Sequence, residues 1–139
     1  MAPQYKIEDF SISDELELGE GGQKTKFKNN VAAIRLVREL EDSGRRATPD
    51  EQAVLAKYVG WGALSPAFDG DREEWSKEHA ELKAIMSDEE FAAARRSTRY
   101  AHYTSKEIIQ DGVYAAMRRF GFGGGRVLEA GAGVGNFIG

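Results

Sequence analysis

The chain has 139 residues, 41% of them hydrophobic and 30% charged, which is the composition of a globular protein rather than of a disordered one. It has no cysteine, which excludes disulfides and thiolate metal sites, and we expect no metal centre because His79 and His102 lack partners at ligand spacing. The net charge is −4, with the bases concentrated in two mildly basic stretches, so charge alone does not indicate a nucleic-acid-binding module.

The N-terminus MAPQYKIEDF lacks a basic stretch followed by an apolar run, and the chain has no apolar span of about 18 residues. We therefore expect no secretion signal and no membrane contact, and a cytoplasmic location. Glycines in the stretch LGEGGQKT predict an exposed, irregular segment up to about residue 25.

A first helix is predicted from about Asn29 to Ser43, with Asn29 or Asn30 as its N-cap and Gly44 at its exit. The pattern that predicts it is a set of apolar residues on one helical face: Val31, Ile34, Val37 and Leu40.

Capping boxes predict further helix starts. Thr48, Pro49 and Glu51 indicate a helix running to about Val59. Residues 73–86 look helical, and Ser87 with Glu90 predicts a short helix after them.

A last helix is predicted to start at a third capping box, formed by Thr104 and Glu107. An apolar stripe at helical spacing supports it: Ile109, Val113, Ala116, Met117 and Phe120. We then expect a short strand at Arg126–Glu129, a glycine-rich turn over residues 130–135, and a new helix from Asn136.

The turn in VLEAGAGVGNF is the strongest chemical motif of the sequence. Glycines between a strand and a helix let a ligand approach backbone amides without obstruction from side chains. A P-loop is excluded because no lysine follows the glycines. A dinucleotide fingerprint fits poorly because Asn136 occupies the place of its final glycine, and Glu129 precedes the turn instead of following it.

An acid at a strand end followed by GxGxG resembles motif I of the S-adenosylmethionine-dependent methyltransferases, and VLEAGAGVGNF is most similar to the adenine-specific DNA methyltransferases. The resemblance implies that the cofactor is S-adenosylmethionine and that Glu129 helps to position it. It also implies that three glycines approach its methionine and ribose parts: Gly131, Gly133 and Gly135.

The stretch AHYTSKEIIQDGVYAAM resembles the upstream cofactor motif of the same enzymes, with Ser105 where proline is more common. The resemblance implies that Tyr103 and Thr104 close over the methionine end of the cofactor. The alternative is that Thr104 only caps the helix while Tyr103 only packs.

The order of LGEGGQKTKFKNNVAAIRLVRELE, TPDEQAVLAKYVGWGAL, AHYTS and VLEAGAGVGNF resembles the N-terminal region of large plasmid- and phage-encoded proteins that join an adenine-specific DNA methylase to a helicase-like ATPase. Some of these act in protecting incoming DNA from restriction. The implied fold is mainly α: a helical N-terminal domain at residues 1–100, and at 101–139 the first helix, strand and glycine turn of a truncated Rossmann-like α/β methyltransferase domain.

Transfer to the amino group of adenine requires an (N/D)PP(Y/F) tetrapeptide that holds the flipped base. The sequence contains none, since its prolines are isolated at positions 3, 49 and 66. We therefore expect an N-terminal fragment of a DNA methyltransferase without catalytic residues of its own, with DNA and the rest of the methylase–helicase polypeptide as partners. The alternative is a non-enzymatic helical module for DNA binding or protein interaction.

Two basic clusters are candidates for phosphate contact in the intact protein, although solvated surface is the default interpretation of such residues. They are Lys24, Lys26 and Lys28 in the first, and Arg95, Arg96 and Arg99 in the second.

Overall fold

The computed structural model describes residues 10–101, 103–131 and 133–137, and of Asp14 only the backbone. The chain divides into two compact units, residues 1–101 and 102–139. The described residues are mainly helical, as expected, and contain no β-strand.

The described part of the first unit, residues 10–101, contains four α-helices and three short 3-10 helices. The α-helices are α1 (Gln23–Ser43), α2 (Pro49–Ala56), α3 (Ser76–Ile85) and α4 (Asp88–Ser97). The 3-10 helices are Asp14–Leu16, Gly62–Phe68 and Glu73–Trp75.

Helix α1 begins after Gly22, six residues before the predicted start, so neither Asn29 nor Asn30 is its N-cap. Asn30 lies inside the helix and is fully buried. Its amide donates to the carbonyl oxygen of Gly60 at 2.7 Å and accepts from the N–H of Val59 at 2.9 Å. The amide thus satisfies the backbone of a connecting segment and fixes that segment against α1.

The predicted caps in the rest of this unit are confirmed, but α2 ends at Ala56 rather than at about Val59 as predicted. Gly44 ends α1 in the left-handed conformation, with φ of 62°. Both capping boxes form, Thr48 with Glu51 and Ser87 with Glu90.

The core of the first unit is aromatic. Trp61 and Trp75 are 4% and 5% exposed, so both indole rings pack inside instead of presenting stacking surfaces. The Trp61 ring meets Phe68 edge to face, with centroids 5.2 Å apart. Such pairs add to the hydrophobic gain from burying large rings. The remaining large core side chains are Phe27, Leu64, Leu82 and Phe91.

The second unit begins its helix at Lys106, so Ser105 is the residue before the helix, rather than Thr104 as predicted. The turns at Ile108–Tyr114 are π-helical and lead into α5 (Ala115–Arg119). Wider π turns break the 3.6-residue register that the apolar stripe assumed. Consequently Ile109 is buried, whereas Phe120 is 88% exposed.

The predicted strand at Arg126–Glu129 is not formed, and Leu128 is 92% exposed. A strand needs a neighbour for its backbone hydrogen bonds and cover for its apolar face. The described part of the second unit offers no neighbouring strand. Nor is the predicted helix present at Asn136, which lies in a turn.

Candidate functional site

The glycine-rich turn of the second unit has a defined internal geometry. The side chain of Glu129 accepts a hydrogen bond from the backbone N–H of Gly131, with Oε1 to N at 2.7 Å. Gly133 and Gly135 have φ of 56° and 91°, which side-chain-bearing residues adopt only with strain. The turn therefore depends on glycine at both positions.

The ring of Tyr103 lies directly against this turn. A Cβ atom built on Gly133 would be 2.8 Å from Cδ1 of Tyr103 and 3.1 Å from Cε1. Gly135 differs, because a Cβ atom built on it would have no atom of a non-adjacent residue within 4 Å. One glycine thus receives an aromatic ring, and the other faces open space.

Two hydrogen bonds connect the end of the glycine turn to earlier parts of the second unit. The Asn136 amide donates to the carbonyl oxygen of Thr104 at 3.0 Å. The Tyr114 hydroxyl donates to the carbonyl oxygen of Phe137 at 2.8 Å. The sequence patterns assign no role to Tyr114, and they mark Asn136 only as a departure from a dinucleotide fingerprint. A helical sequence pattern does not indicate that a tyrosine bonds to a carbonyl oxygen 23 residues further along the chain.

The start of the helix is stabilised by Ser105 and Glu107. Hydrogen bonding from the Ser105 hydroxyl, together with the N–H of Glu107 itself, lowers the pKa of the Glu107 carboxyl. The carboxylate therefore remains ionised in the first helical turn, where the helix dipole favours a negative charge.

The two predicted cofactor motifs line one shallow cleft of about 80 Å³. Small-molecule pockets usually measure roughly 300–1,000 Å³. The cleft by itself is therefore too small to enclose a nucleoside-sized ligand. Its lining residues are Tyr103, Thr104, Gly131, Gly133, Val134, Asn136 and Phe137.

The lysine cluster in the first unit lies on the opening turns of α1, where the side chains differ in environment. The Lys24 ammonium is 2.7 Å from Glu78 Oε2, donates to the Glu74 carbonyl oxygen at 2.7 Å, and lies 3.9 Å from the centre of the Trp75 ring. Its hydrogen bond lowers the pKa of Glu78. Lys26 is half-buried and Lys28 is exposed. Lys24 therefore connects α1 to the segment around Trp75.

The arginine cluster lies at the end of α4 and just beyond it, and all three of its side chains are exposed: Arg95, Arg96 and Arg99. By contrast, Arg35 and Arg38 on α1 are ion-paired with Glu81 and Glu90, at 2.7 Å and 3.0 Å.

Within the described residues, no group of three or more metal-ligating side chains comes together. The Nδ1 of His79 is 3.1 Å from the carbonyl oxygen of Ala67, and its ring packs edge to face on Phe91. His79 thus has a packing role. His102 lies outside the described residues.

None of the helices in the described ranges is both long and apolar enough to span a membrane. Comparison with protein-family models, with curated proteins and with solved structures found no match. The geometry of the second unit and the sequence motifs it brings together are therefore the basis for assigning a function.

Proposed function

We propose that the chain is the N-terminal part of an S-adenosylmethionine-dependent DNA methyltransferase and that its second unit supplies one wall of the cofactor site. The observation that carries the proposal is the contact between Tyr103 and Gly133, with Thr104 bonded to Asn136. Two motifs that separately resemble cofactor motifs of one enzyme family contribute residues to the lining of the same cleft.

The residues present fit such a cofactor. Gly131 and Gly133 line the cleft without a side chain, so a ligand can approach the backbone there. Glu129 orders the turn through its bond to the N–H of Gly131. Tyr103 is 41% exposed, so its ring covers Gly133 and still presents a surface to a ligand. These residues would bind and orient the methionine and ribose parts of the cofactor.

When bound, S-adenosylmethionine supplies an electrophilic methyl group on a sulfonium. The acceptor we propose is the amino group of adenine in DNA. The 139 residues hold no (N/D)PP(Y/F) tetrapeptide, so a flipped base would have to be held by residues from elsewhere in the polypeptide. Residues 126–129 would then pair as a strand in a Rossmann-like sheet completed by the same polypeptide.

The wider setting is part of the proposal and is supported by the order of four sequence stretches alone. We propose a plasmid- or phage-type methylase joined to a helicase-like ATPase, acting in the cytoplasm and protecting incoming DNA from restriction. DNA and the remaining domains of the polypeptide are its partners.

The test is calorimetric titration of S-adenosylmethionine into the complete product of the reading frame that contains these residues. We expect binding by the wild type, and at least ten-fold weaker binding by Gly133→Ala, because the added methyl collides with Tyr103. Gly123→Ala is the matched control, since its Cβ would meet nothing within 4 Å and its φ is not positive.

The proposal would be overturned if titration of S-adenosylmethionine into folded wild-type protein gave no heat of binding. That result would favour the alternative of a non-enzymatic helical module. Equal affinities for Gly133→Ala and wild type would show that cofactor binding does not use this cleft.

A further inference from the structure

The segment RRSTRY, residues 95–100, forms an exposed basic surface at the end of α4, which we call the basic turn. Its three arginines are exposed, and Tyr100 is 81% exposed. A tyrosine with this much free ring surface contributes little to the core of the first unit, so its packing does not explain its position.

The guanidinium groups of the basic turn have no counter-ion among the residues that the structure describes. Arg95, Arg96 and Arg99 make no ion pair with any residue in the described part of the chain, and no acidic residue occurs between Glu90 and Glu107 in the sequence. Just after the end of α1, by contrast, Arg45 is bonded to Glu51 at 2.7 Å and to Glu39 at 2.8 Å. The basic turn is thus a source of unneutralised positive charge.

The direction of these side chains follows from the packing of α4. Phe91 and Ala94 are buried and fix one face of the helix against the core. At about 100° per residue, Arg96 points roughly 170° away from the mean direction of Phe91 and Ala94, and Arg95 roughly 70° away. Arg96 therefore faces away from the core, and the exposed Arg95 lies beside the buried face.

The backbone that carries the basic turn is held by its own hydrogen bonds. The hydroxyl groups of Ser97 and Thr98 donate to the carbonyl oxygens of Ala94 and Arg95, at 2.7 Å and 2.8 Å. The N–H of Ala101 bonds to the carbonyl oxygen of Ser97 at 2.9 Å. The arginines and Tyr100 are therefore presented from an ordered backbone, which lowers the entropy lost on binding a ligand.

Stabilisation of the helix end explains only part of this arrangement. A cation in the last turn interacts favourably with the helix dipole. However, only Arg95 and Arg96 lie in that turn, and Arg99 is beyond the end of α4. An exposed tyrosine next to them adds nothing to that electrostatic effect.

We propose that the basic turn binds unpaired DNA, with the arginines contacting phosphates and Tyr100 stacking on a base. Guanidinium groups match the geometry of phosphate oxygens, and an exposed aromatic ring stacks on any base that is free of its duplex partner. The inference rests on the proposed function only in taking DNA as the nucleic acid. It selects the arginine cluster over the lysine cluster and adds Tyr100 to it.

Fluorescence anisotropy of a labelled single-stranded oligonucleotide, titrated with the chain at several salt concentrations, tests this. The charge variant is R95Q/R96Q/R99Q, and the matched control is R35Q/R38Q, which removes arginines that are already ion-paired. Loss of three phosphate contacts predicts that the slope of log K against log salt falls by about two. The control should keep at least about three-quarters of the wild-type slope.

The stacking part of the proposal has its own variant. Y100L should weaken binding at least about five-fold and leave the salt slope unchanged, because a base loses its stacking partner and no phosphate contact is lost. R99Q alone serves as a milder charge variant if circular dichroism shows that the triple variant does not fold.

The proposal is overturned if folded R95Q/R96Q/R99Q or, where that variant does not fold, R99Q binds the oligonucleotide as wild type does. It is also overturned if the R35Q/R38Q control loses as much affinity, or if Y100L has wild-type affinity. Equally tight binding to vesicles of an anionic phospholipid, lost in the same variants, would show a general polyanion surface and would likewise overturn it. If the protein binds DNA through the basic turn and does not bind S-adenosylmethionine, this inference holds and the proposed methyltransferase function is wrong.

Discussion

The ring of Tyr103 lies so close to Gly133 that a Cβ on residue 133 would be 2.8 Å from Cδ1 of the ring. The contact joins the segment that precedes the last helical region to the middle of the glycine turn. Since Gly133 also has φ of 56°, both its conformation and its surroundings require glycine. The two predicted motifs thus meet in one unit of the chain.

Tyr114→Phe should weaken cofactor binding without unfolding the second unit. The change removes one hydrogen bond, from the Tyr114 hydroxyl to the carbonyl oxygen of Phe137. A bond of this kind contributes about 1 kcal/mol. In the variant this free energy has to be supplied by cofactor binding to order the turn, which corresponds to a roughly five-fold loss of affinity. Calorimetry with S-adenosylmethionine measures the change. Tyr100→Phe, whose side chain is in the first unit and exposed, should bind as wild type does.

Lys24→Ala should lower the stability of the first unit by about 1 kcal/mol. The ammonium group forms an ion pair with Glu78 and a cation–π contact with Trp75, and each interaction contributes a modest amount at a partly exposed site. The melting temperature followed by circular dichroism should fall by about 4–8 °C. Lys28→Ala removes an exposed lysine of the same helix and should leave the melting temperature within about 2 °C of wild type. Equal effects of the two changes would contradict the role assigned to Lys24.

Asn30→Ala should be the most destabilising single change considered. It leaves the carbonyl oxygen of Gly60 and the N–H of Val59 without their partner, and Asn30 itself is fully buried. The expected loss is about 3 kcal/mol in the free energy of unfolding, measured by urea titration. The neighbouring Asn29→Ala should cost less than about 1 kcal/mol. A small effect at Asn30 would mean that water replaces the amide.

Acid should destabilise the first unit partly through Glu51. Hydrogen bonds, first from Arg45 and then from the Thr48 backbone, hold the pKa of this carboxyl at about 2, below its ordinary value of 4.5. A carboxyl whose pKa is lowered in the folded state contributes its full stabilisation at pH values above its pKa in the unfolded state. The contribution is lost as pH falls from about 4.5 through about 2.

Urea midpoints at pH 7 and pH 3 should therefore differ less for Glu51→Gln than for wild type. Glu41→Gln is the control, because the Glu41 carboxylate makes no ion pair with the described residues. An unchanged difference between the two pH values in Glu51→Gln would contradict the assignment.

Local signals predicted the helix ends well. Thr48 with Glu51, Ser87 with Glu90, and Gly44 act through residues three positions apart or less, so the sequence contains the whole interaction. The start of α1 was missed because Asn30 looks like a cap. Its actual partners are the backbone groups of Val59 and Gly60, and a contact over that distance is not visible in a local pattern.

The errors in the second unit have a different cause. The strand at Arg126–Glu129 was predicted from its apolar residues, but a strand forms only with a neighbour, and none lies in the described ranges. The apolar stripe assumed regular α-helical spacing, whereas Ile108–Tyr114 has π-helical turns. Four of the six residues that the motifs indicated line the cleft, whereas Glu129 and Gly135 do not. The fold adds Asn136 to the lining, and Tyr114 bonds to the Phe137 carbonyl oxygen across the unit.

Hydrogen–deuterium exchange with and without S-adenosylmethionine, on the complete product of the reading frame, is the decisive test of a cofactor cleft shared by the two motifs. We predict that the cofactor slows exchange in the peptides covering 103–105 and 131–137 together, and that Gly133→Ala abolishes both effects. Cofactor binding that protects other peptides and leaves these two unchanged would contradict the proposed cleft.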